Sequence, residues 1–208
     1  ELVAEETGAL VIDTRDAAEF CKGFVPRSIN IGIKGDFAPW LGTLVVDVKQ
    51  PILVVTEKGK EEEVITRMSR VGFDHVVGHL KGGIDTWIES GKEIDHVERI
   101  SSEEFKEQFV PGQSKVLDLR KEGEYAAEHV QDAYNRPLAY INDWIKEINT
   151  NEHFYIHCAA GYRSMIAASI LQSRGYRNFS EIEGGFNAIK QTNVPMTDFI
   201  CQSKVMAV

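Results

Sequence analysis

Cysteine is scarce in this sequence, and the three that occur, Cys21, Cys158 and Cys201, are an odd number with no metal-ligand spacing. A disulfide framework needs paired cysteines, and structural zinc sites place cysteines and histidines a few residues apart in clusters. Neither feature organises this chain. Free thiols of this kind fit a reducing compartment, and we therefore predict a cytoplasmic protein.

Basic clusters and long apolar runs are also missing. The 208 residues include 23 Lys and Arg against 32 Asp and Glu, a formal charge of −9, and no stretch gathers enough basic side chains to neutralise a phosphate backbone. No apolar run is long enough to span a bilayer, and the opening residues do not resemble a signal peptide. We expect neither nucleic acid nor a membrane as a partner.

Histidine is sparse as well, and its spacing does not predict a metal site. His75 and His79 are four residues apart, as are His153 and His157, but both pairs lie in strand-like segments where that spacing need not converge on one ion. No cluster of Cys, Asp or Glu completes either pair. We expect no bound metal and no organic cofactor.

An internal repeat of about a hundred residues organises the chain. The segment ALVIDTRDAAEF matches SKVLDLRKEGEY, and PILVVTEKGKEEE matches EHFYIHCAAGYRS. Each copy alternates β-branched runs with segments of helical period, which is typical of βα units around a buried parallel sheet. We predict an α/β fold of two domains, residues 1–96 and 97–208, each a central, mainly parallel sheet flanked by helices. Strands are predicted at residues 9–12, 52–55, 76–77, 116–119 and 154–157.

The two copies begin differently. The second copy begins at Ile100, about eighteen residues before Asp118, and Ser101 or Ser102 can cap its first helix, whereas only twelve residues precede Asp13 in the first copy. The opening strand and most of the first helix of the second copy are therefore expected to have no counterpart in the first copy. Because the sequence also lacks an initiator Met, we expect an N-terminally truncated first domain and a longer parent protein.

Cys158 stands between the strand-like run 154–157 and a helical segment that opens at Arg163. The intervening residues are Ala159, Ala160, Gly161 and Tyr162. Backbone N–H groups of such a loop point inward and, together with the helix dipole, favour an anion or a thiolate. The small alanines allow close approach, Gly161 can adopt a positive φ, and Arg163 supplies a planar fork for an anionic substrate. We predict that Cys158 is a nucleophile rather than an ordinary buried cysteine.

These motifs resemble those of tandem rhodanese domains, which are sulfurtransferases. The resemblance covers essentially the whole chain and is carried by the paired Asp-x-Arg motifs at residues 13–15 and 118–120, by EHVQDAYNRP, by HCAAGYRS and by EGG at residues 183–185. Asp132, in EHVQDAYN, stands where glycine is usual in the family, and we expect this departure to alter only a turn.

The resemblance implies a two-step exchange of sulfur. The Cys158 thiolate attacks the outer sulfur of thiosulfate or of a low-molecular-weight persulfide, and a thiol or cyanide then removes that sulfur from the cysteine. Arg163 would orient the donor, and the N–H groups of residues 159–162 would hold the anionic sulfur. The expected partners are therefore a small-molecule sulfur donor and a thiol acceptor.

Supporting roles are implied for residues around the loop. Asp118 and Arg120 are expected to pin the neighbouring strand and loop rather than to touch substrate. Tyr162 and Glu183 would line the mouth of the site. His157 precedes the nucleophile and should face the other side of the sheet, so a packing role is favoured over that of a general base.

Two other functions stay open. Phosphatases and arsenate reductases on similar folds carry one more residue between cysteine and arginine, so the shorter loop here favours sulfur transfer. A pair of domains that only binds a partner is the second alternative, and retention of the whole loop from Cys158 to Arg163 argues against it.

The first copy lacks the nucleophile. Laying the repeats together puts Thr56 or Val55 opposite the cysteine and Lys60 or Glu61 opposite the arginine, and a threonine hydroxyl lacks the low pKa and polarisability of a thiolate. We therefore predict a non-catalytic rhodanese-like domain at residues 1–96 and a catalytic one, with a C-terminal tail, at 97–208. Cys201, in that tail, is expected to be an ordinary surface or packed thiol.

The stretch GDFAPWLGTLV, residues 35–45, interrupts a connection with a proline, a glycine and the large Trp40. It resembles the same stretch in rhodanese pairs fused behind a metallo-β-lactamase-fold domain in enzymes that oxidise persulfides. This resemblance implies such a fused or associated domain, whose small thiol would exchange sulfur with Cys158. A loop aromatic packed on the neighbouring domain is the alternative for Trp40.

Overall fold

A computed structural model of the chain describes residues 2–200, and Cys201 lies outside the described residues. The described residues form two compact units. Of the described residues, the first unit takes in those up to Val97 and residues 172–174, and the second comprises residues 98–171 and 175–200. Both are α/β structures built on a parallel sheet, which confirms the predicted fold class.

The first unit has a four-stranded sheet in the order β2-β1-β3-β4. Its strands are β1 (Leu10–Asp13), β2 (Ile29–Asn30), β3 (Ile52–Val55) and β4 (Val76–His79). Its helices are α1 (Leu2–Thr7), α2 (Ala17–Phe20), α3 (Phe37–Leu44), α4 (Glu61–Ser69) and α5 (Gly83–Glu89). Neighbouring strands run parallel because each returns through a helix or a long connection rather than a hairpin.

The second unit has a five-stranded parallel sheet in the order β5-β9-β8-β6-β7. Its strands are β5 (Arg99–Ile100), β6 (Lys115–Asp118), β7 (Tyr134–Asn135), β8 (Phe154–His157) and β9 (Phe179–Ile182). Its α-helices are α6 (Ser102–Gln108), α7 (Glu122–Ala127), α8 (Ile141–Trp144), α9 (Tyr162–Ser173) and α10 (Gly185–Ile189), with 3₁₀ turns at Leu138–Tyr140 and Ile145–Glu147.

The central strand of the second unit, β8, carries the site. All four of its side chains are buried, as expected of a parallel strand covered on both faces. Tyr155 belongs to a core cluster in which Phe105 of α6 and Phe186 of α10 also lie. The neighbouring strands and the packing on both faces of the sheet therefore fix the position of His157, at the end of β8.

Most of the predicted elements are confirmed, and two expectations are wrong. The strands at 52–55 and 154–157 occur as predicted, and Ser101 caps α6 in a capping box with Glu104. The first unit does have a helix, α1, before its first strand, so only the counterpart of β5 is missing from its described residues. Residues 37–44 form helix α3, not an interrupted connection, because Pro39 lies in the first turn where no N–H bond is needed.

The glycines that shape the two units are equivalent. Gly59 and Gly161, in the loops after the central strands, have φ of 84° and 98°. A pair of adjacent glycines with positive φ stands at the start of the last helix of each unit, at residues 82–83 and 184–185. The backbone therefore turns in the same way at these positions of the two units.

Candidate active site

Cys158 lies directly after β8, buried with 1% of its surface exposed. The Gly161 N–H donates a hydrogen bond to Cys158 Sγ at 3.2 Å. Gly161 reaches this position with φ of 98°, a conformation that side-chain-bearing residues rarely adopt. The predicted loop therefore forms, and at least one of its N–H groups donates to the sulfur.

The loop is short because helix α9 begins at Tyr162, one residue before the predicted start. Ala159 is half-buried and Ala160 is exposed, so the loop bulges toward solvent between the buried cysteine and the buried glycine. Arg163 follows in the first turn of the helix.

Residues 184–187 pack directly against this loop. The Phe186 N–H donates to the Cys158 carbonyl at 2.7 Å, and the Asn187 N–H donates to the Ala159 carbonyl at 3.0 Å. A Cβ on Gly185 would stand 2.4 Å from the Cys158 carbonyl oxygen, which no side chain can tolerate. Gly185 is thus required for close approach as well as for its φ of 56°.

Arg163 is held by a carboxylate that sequence reasoning missed. Its Nη1 and Nη2 donate to the two carboxylate oxygens of Glu124, in α7, at 2.6 and 2.8 Å. These hydrogen bonds raise the pKa of Arg163, with Cys158 adding to the same direction, and they hold the pKa of Glu124 below its usual range. The fork predicted to bind an anionic substrate is therefore occupied by a fixed anion of the chain.

A second group that the sequence did not predict, Ser164 with Glu181, lies next to the Cys158 sulfur. The Ser164 Oγ stands 3.5 Å from Cys158 Sγ and donates to Glu181 Oε1 at 2.5 Å. The other carboxylate oxygen of Glu181 accepts from Arg99 Nε at 2.7 Å. Glu181 is fully buried, and burial raises its pKa to about 7 against the opposing effects of Arg99 and Ser164.

Asp118 and Arg120 form a clasp one strand away. Arg120 Nη2 donates to Asp118 Oδ2 at 2.6 Å and to the Glu128 carbonyl at 2.8 Å. The Asn135 side chain donates to the Asp118 and Arg120 carbonyls at 3.1 and 3.0 Å. The Arg120 guanidinium also lies 3.7 Å above the ring of Phe186. The clasp thus ties β6 and β7 to the segment that supports the cysteine loop.

The remaining residues expected at the site differ in exposure. Tyr162 is half-buried in the first turn of α9, and Glu183 is exposed with Oε1 3.4 Å from Arg99 Nη1. His157 is fully buried, and burial lowers its pKa, so it is held neutral. Its Nδ1 lies 3.2 Å from the Cys158 carbonyl oxygen, and its Nε2 has no hydrogen-bond partner among residues 2–200.

Comparison with known proteins identifies the family. The model of the rhodanese-like domain matches residues 2–90 and again residues 101–192. The chain belongs to the rhodanese family.

Named relatives of this rhodanese pair include sulfurtransferases. It is 26% identical over 126 residues to YrkF of Bacillus subtilis, which is named as a sulfur carrier protein, and the match covers 60% of each chain. It is 30% identical over 77 residues to the thiosulfate sulfurtransferase GlpE of Pseudomonas fluorescens, covering 37% of this chain and 71% of that protein. A crystal structure of thiosulfate sulfurtransferase from Pseudomonas aeruginosa matches 96% of this chain and 43% of that one, with 16% identity and a TM-score of 0.41.

The two rhodanese units retain the same clasp. Arg15 Nη2 donates to Asp13 Oδ2 at 2.6 Å and to the Gly23 carbonyl at 2.9 Å, and the Asn30 side chain donates to the Asp13 and Arg15 carbonyls. In the first unit this clasp lies beside a loop that has no cysteine. The clasp is therefore a structural feature of both rhodanese units and forms without a nucleophile nearby.

The residues around the sulfur are replaced in the first rhodanese unit. The ends of β3 and β8 and the equivalent glycines put Thr56 opposite Cys158 and Glu61 opposite Arg163, which resolves the ambiguity of the sequence alignment. Glu19 stands at the position of Glu124 and pairs instead with the nearby Lys22. A threonine and a glutamate thus stand where the second rhodanese unit has a thiol and a guanidinium.

Metal-binding clusters and membrane-spanning helices are both absent from the part of the chain that the structure describes. Within residues 2–200, no three His, Cys, Asp or Glu side chains converge so as to hold a metal ion. Over the same residues, no helix combines the length and apolar character needed to cross a bilayer.

Proposed function

We propose that the chain is a sulfurtransferase that moves a sulfane sulfur from thiosulfate or a low-molecular-weight persulfide to a thiol or cyanide, through a persulfide on Cys158. The observation that carries the proposal is the hydrogen bond from the Gly161 N–H to Cys158 Sγ, in a loop that joins a buried parallel strand to the start of α9. A donor fixed on the sulfur stabilises the thiolate and, after transfer, the anionic persulfide.

The first half-reaction needs no external oxidant. The Cys158 thiolate attacks the outer sulfur of thiosulfate, an S–S bond forms to the cysteine, and sulfite leaves with the electron pair of the bond that breaks. With a persulfide donor, the small thiolate leaves in place of sulfite. In the second half-reaction the acceptor thiolate or cyanide attacks the outer sulfur, and the Cys158 thiolate returns as the leaving group.

Arg163 is the donor-binding residue of this proposal. A guanidinium has five N–H groups, so pairing with Glu124 leaves other donors for the oxygens of an anionic substrate. The N–H groups of residues 159–162 would hold the transferred sulfur, and Tyr162 and Glu183 would line the approach. Asp118 and Arg120 would keep the loop in place through the clasp.

The first rhodanese unit is proposed to be non-catalytic, because Thr56 and Glu61 provide neither a thiolate nor a cation for an anionic donor. The expected metallo-β-lactamase-fold partner stays a prediction, as do the cytoplasmic location and the physiological donor. A role in persulfide oxidation would require that partner to supply the small thiol.

Steady-state kinetics test the proposal. With thiosulfate and cyanide as substrates, we expect thiocyanate formation with parallel double-reciprocal lines, the pattern of a ping-pong exchange. Cys158→Ser should abolish turnover, and Cys21→Ser, in the other unit, should leave it unchanged. The proposal is wrong if Cys158→Ser retains turnover, or if the chain hydrolyses p-nitrophenyl phosphate through Cys158 and forms no thiocyanate.

A further inference from the structure

The Ser164 hydroxyl lies between two ionisable groups. It has one proton and three acceptors within reach: Glu181 Oε1 at 2.5 Å, the Gly161 carbonyl at 3.2 Å and Cys158 Sγ at 3.5 Å. The shortest contact decides its direction when Glu181 is ionised, because a hydroxyl donates most strongly to a carboxylate. The hydroxyl oxygen then faces the cysteine as an acceptor for the S–H proton.

The direction reverses when Glu181 is protonated. The carboxylic acid then donates its own proton to Ser164 Oγ, and the serine proton becomes available to the sulfur. One orientation of the hydroxyl thus suits a thiol, and the other suits a thiolate. The protonation state of Glu181 selects between them.

The surroundings of Glu181 raise its pKa to about 7, so both the carboxylate and the carboxylic acid are populated near neutral pH. Arg99, from β5, binds its second oxygen at 2.7 Å and stabilises the carboxylate. Full burial and the charge of nearby Glu183 oppose ionisation, and burial is the largest effect. Ser164 is the remaining polar side chain against Glu181, and Arg163 of α9 is the charged group that faces Cys158.

Gly161 leaves room for this arrangement. A Cβ on Gly161 would stand 3.0 Å from Arg99 Nη2 and 3.8 Å from Glu181 Oε1. The ion pair therefore lies directly against the loop that holds the cysteine, and the small size of Gly161 permits that approach.

The first rhodanese unit supplies a comparison within the chain. Strand pairing places His79 opposite Val54 and Glu181 opposite Ile156, so His79 stands where the second unit has Glu181. Glu62 stands at the position of Ser164, and no counterpart of β5 with its Arg99 exists among the described residues. The clasp persists in both units, but this cluster occurs only with the cysteine.

We propose that Glu181 accepts the proton of Cys158 through Ser164 and so generates the attacking thiolate. The Cys158 S–H bond breaks and its proton moves to Ser164 Oγ, while the serine proton moves to Glu181 Oε1. The cluster of thiol and carboxylate becomes a thiolate and a carboxylic acid, with its net charge unchanged. Glu181 does not touch the sulfur. It acts through Ser164 and is therefore a positioning residue. The inference rests on the proposed function only in treating the thiolate as the nucleophile.

The rate of Cys158 alkylation by iodoacetamide, measured against pH, tests the relay. The full chain is used, and mass spectrometry of the Cys158 peptide separates this thiol from the other two. Variants are Glu181→Gln, Ser164→Ala, the double variant, and Ser164→Thr, which keeps the hydroxyl. Ser169→Ala is the control, because Ser169 is another buried serine of α9 that bonds to a helix carbonyl.

In the wild-type chain we expect a two-step profile, because the thiol and the buried carboxyl titrate as a coupled pair. Ser164→Ala removes the hydroxyl that joins the two groups, so it should reduce the rate at pH 7 by about tenfold, which corresponds to one pH unit. Glu181→Gln should give a single step without that loss, because its amide N–H can donate to Ser164 Oγ as the carboxylic acid does. The double variant should be as slow as Ser164→Ala, Ser164→Thr should restore the wild-type rate, and Ser169→Ala should keep the wild-type profile.

The opposite result overturns the relay. If Glu181 acted only through its charge, Ser164→Ala would keep the wild-type profile, because a through-space effect does not need the hydroxyl. If its role were purely structural, the rate would fall equally at every pH. Because alkylation reports thiolate formation and not sulfur transfer, failure of the proposed function would leave this profile unchanged.

Discussion

The Arg163 guanidinium binds the Glu124 carboxylate through two hydrogen bonds, of 2.6 and 2.8 Å. The charge of the proposed donor-binding group is therefore partly neutralised by a neighbouring carboxylate. In the proposed reaction, the negative charge of Glu124 opposes the binding of a doubly charged donor such as thiosulfate to the remaining N–H groups of Arg163. The affinity for anionic donors is then expected to depend on α7 as well as on the loop.

We expect Glu124→Gln to lower the KM for thiosulfate. The carboxylate is about one-third exposed, so we discount the pair to about 1 kcal/mol, which corresponds to roughly fivefold in KM. Glu122→Gln, on the same helix, is the matched control and should change KM little. An unchanged or higher KM in Glu124→Gln would show that the carboxylate holds Arg163 in its working position instead.

We expect Gly185→Ala to abolish sulfur transfer. The added Cβ would stand 2.4 Å from the Cys158 carbonyl oxygen, and the positive φ adds strain, so the cysteine loop must move. Gly83→Ala is the equivalent change in the first unit, where the Cβ would stand 3.2 Å from the Thr56 carbonyl oxygen. Thiocyanate formation should persist in Gly83→Ala, and full activity in Gly185→Ala would contradict the close packing of residues 184–187 against the cysteine loop.

We expect the stability of the second unit to depend on pH through Glu181. The pKa of this carboxyl is raised from 4.5 to about 7, so its contribution to stability is complete below pH 4.5 and is lost as the pH rises toward 7. In urea unfolding, the wild-type chain should lose stability relative to Glu181→Gln over that window, by at most about 1.4 kcal/mol per pH unit. A difference between the two chains that stays constant from pH 5 to pH 8 would contradict the assignment.

We expect Arg27→Gly and Asp132→Gly each to stabilise their own unit. These residues stand at equivalent turns with φ of 67° and 62°, a region that costs most side-chain-bearing residues about 1 kcal/mol or more. Aspartate tolerates this conformation better than arginine, so the gain at Arg27 should be the larger, about 1 kcal/mol against a few tenths. Urea unfolding of both variants provides the check, and a loss of stability in either would be the contrary result.

Periodicity predicted most of the fold because the buried strands are continuous apolar runs. The run 154–157 is wholly buried, and its pattern alone marks it as a central strand. Helix α3 was not predicted because Pro39 and Gly42 are poor helix residues, although a proline in the first turn is compatible with a helix. Asp132 was predicted to alter only a turn, and it does lie in a left-handed turn.

The contiguous part of the site was predictable, and the rest was not. Cys158, Gly161 and Arg163 belong to one loop, so their spacing predicts their proximity. Glu124 and Arg99 reach that loop only through the order of the strands and the packing of α7, which local sequence does not specify. Glu181 did leave a signal, since a lone carboxylate between the buried Phe179 and Ile182 must find a partner.

The intact mass of the purified chain after thiosulfate or glutathione persulfide, and again after cyanide, shows directly whether Cys158 carries transferred sulfur. We predict a gain of one sulfur atom, located on Cys158, with its removal by cyanide and no gain in Cys158→Ser. The donor that loads the cysteine faster would also show which substrate class the Arg163–Glu124 pair admits. If neither donor adds sulfur while Cys158 still reacts with alkylating agents, the chain is not a sulfurtransferase of this kind.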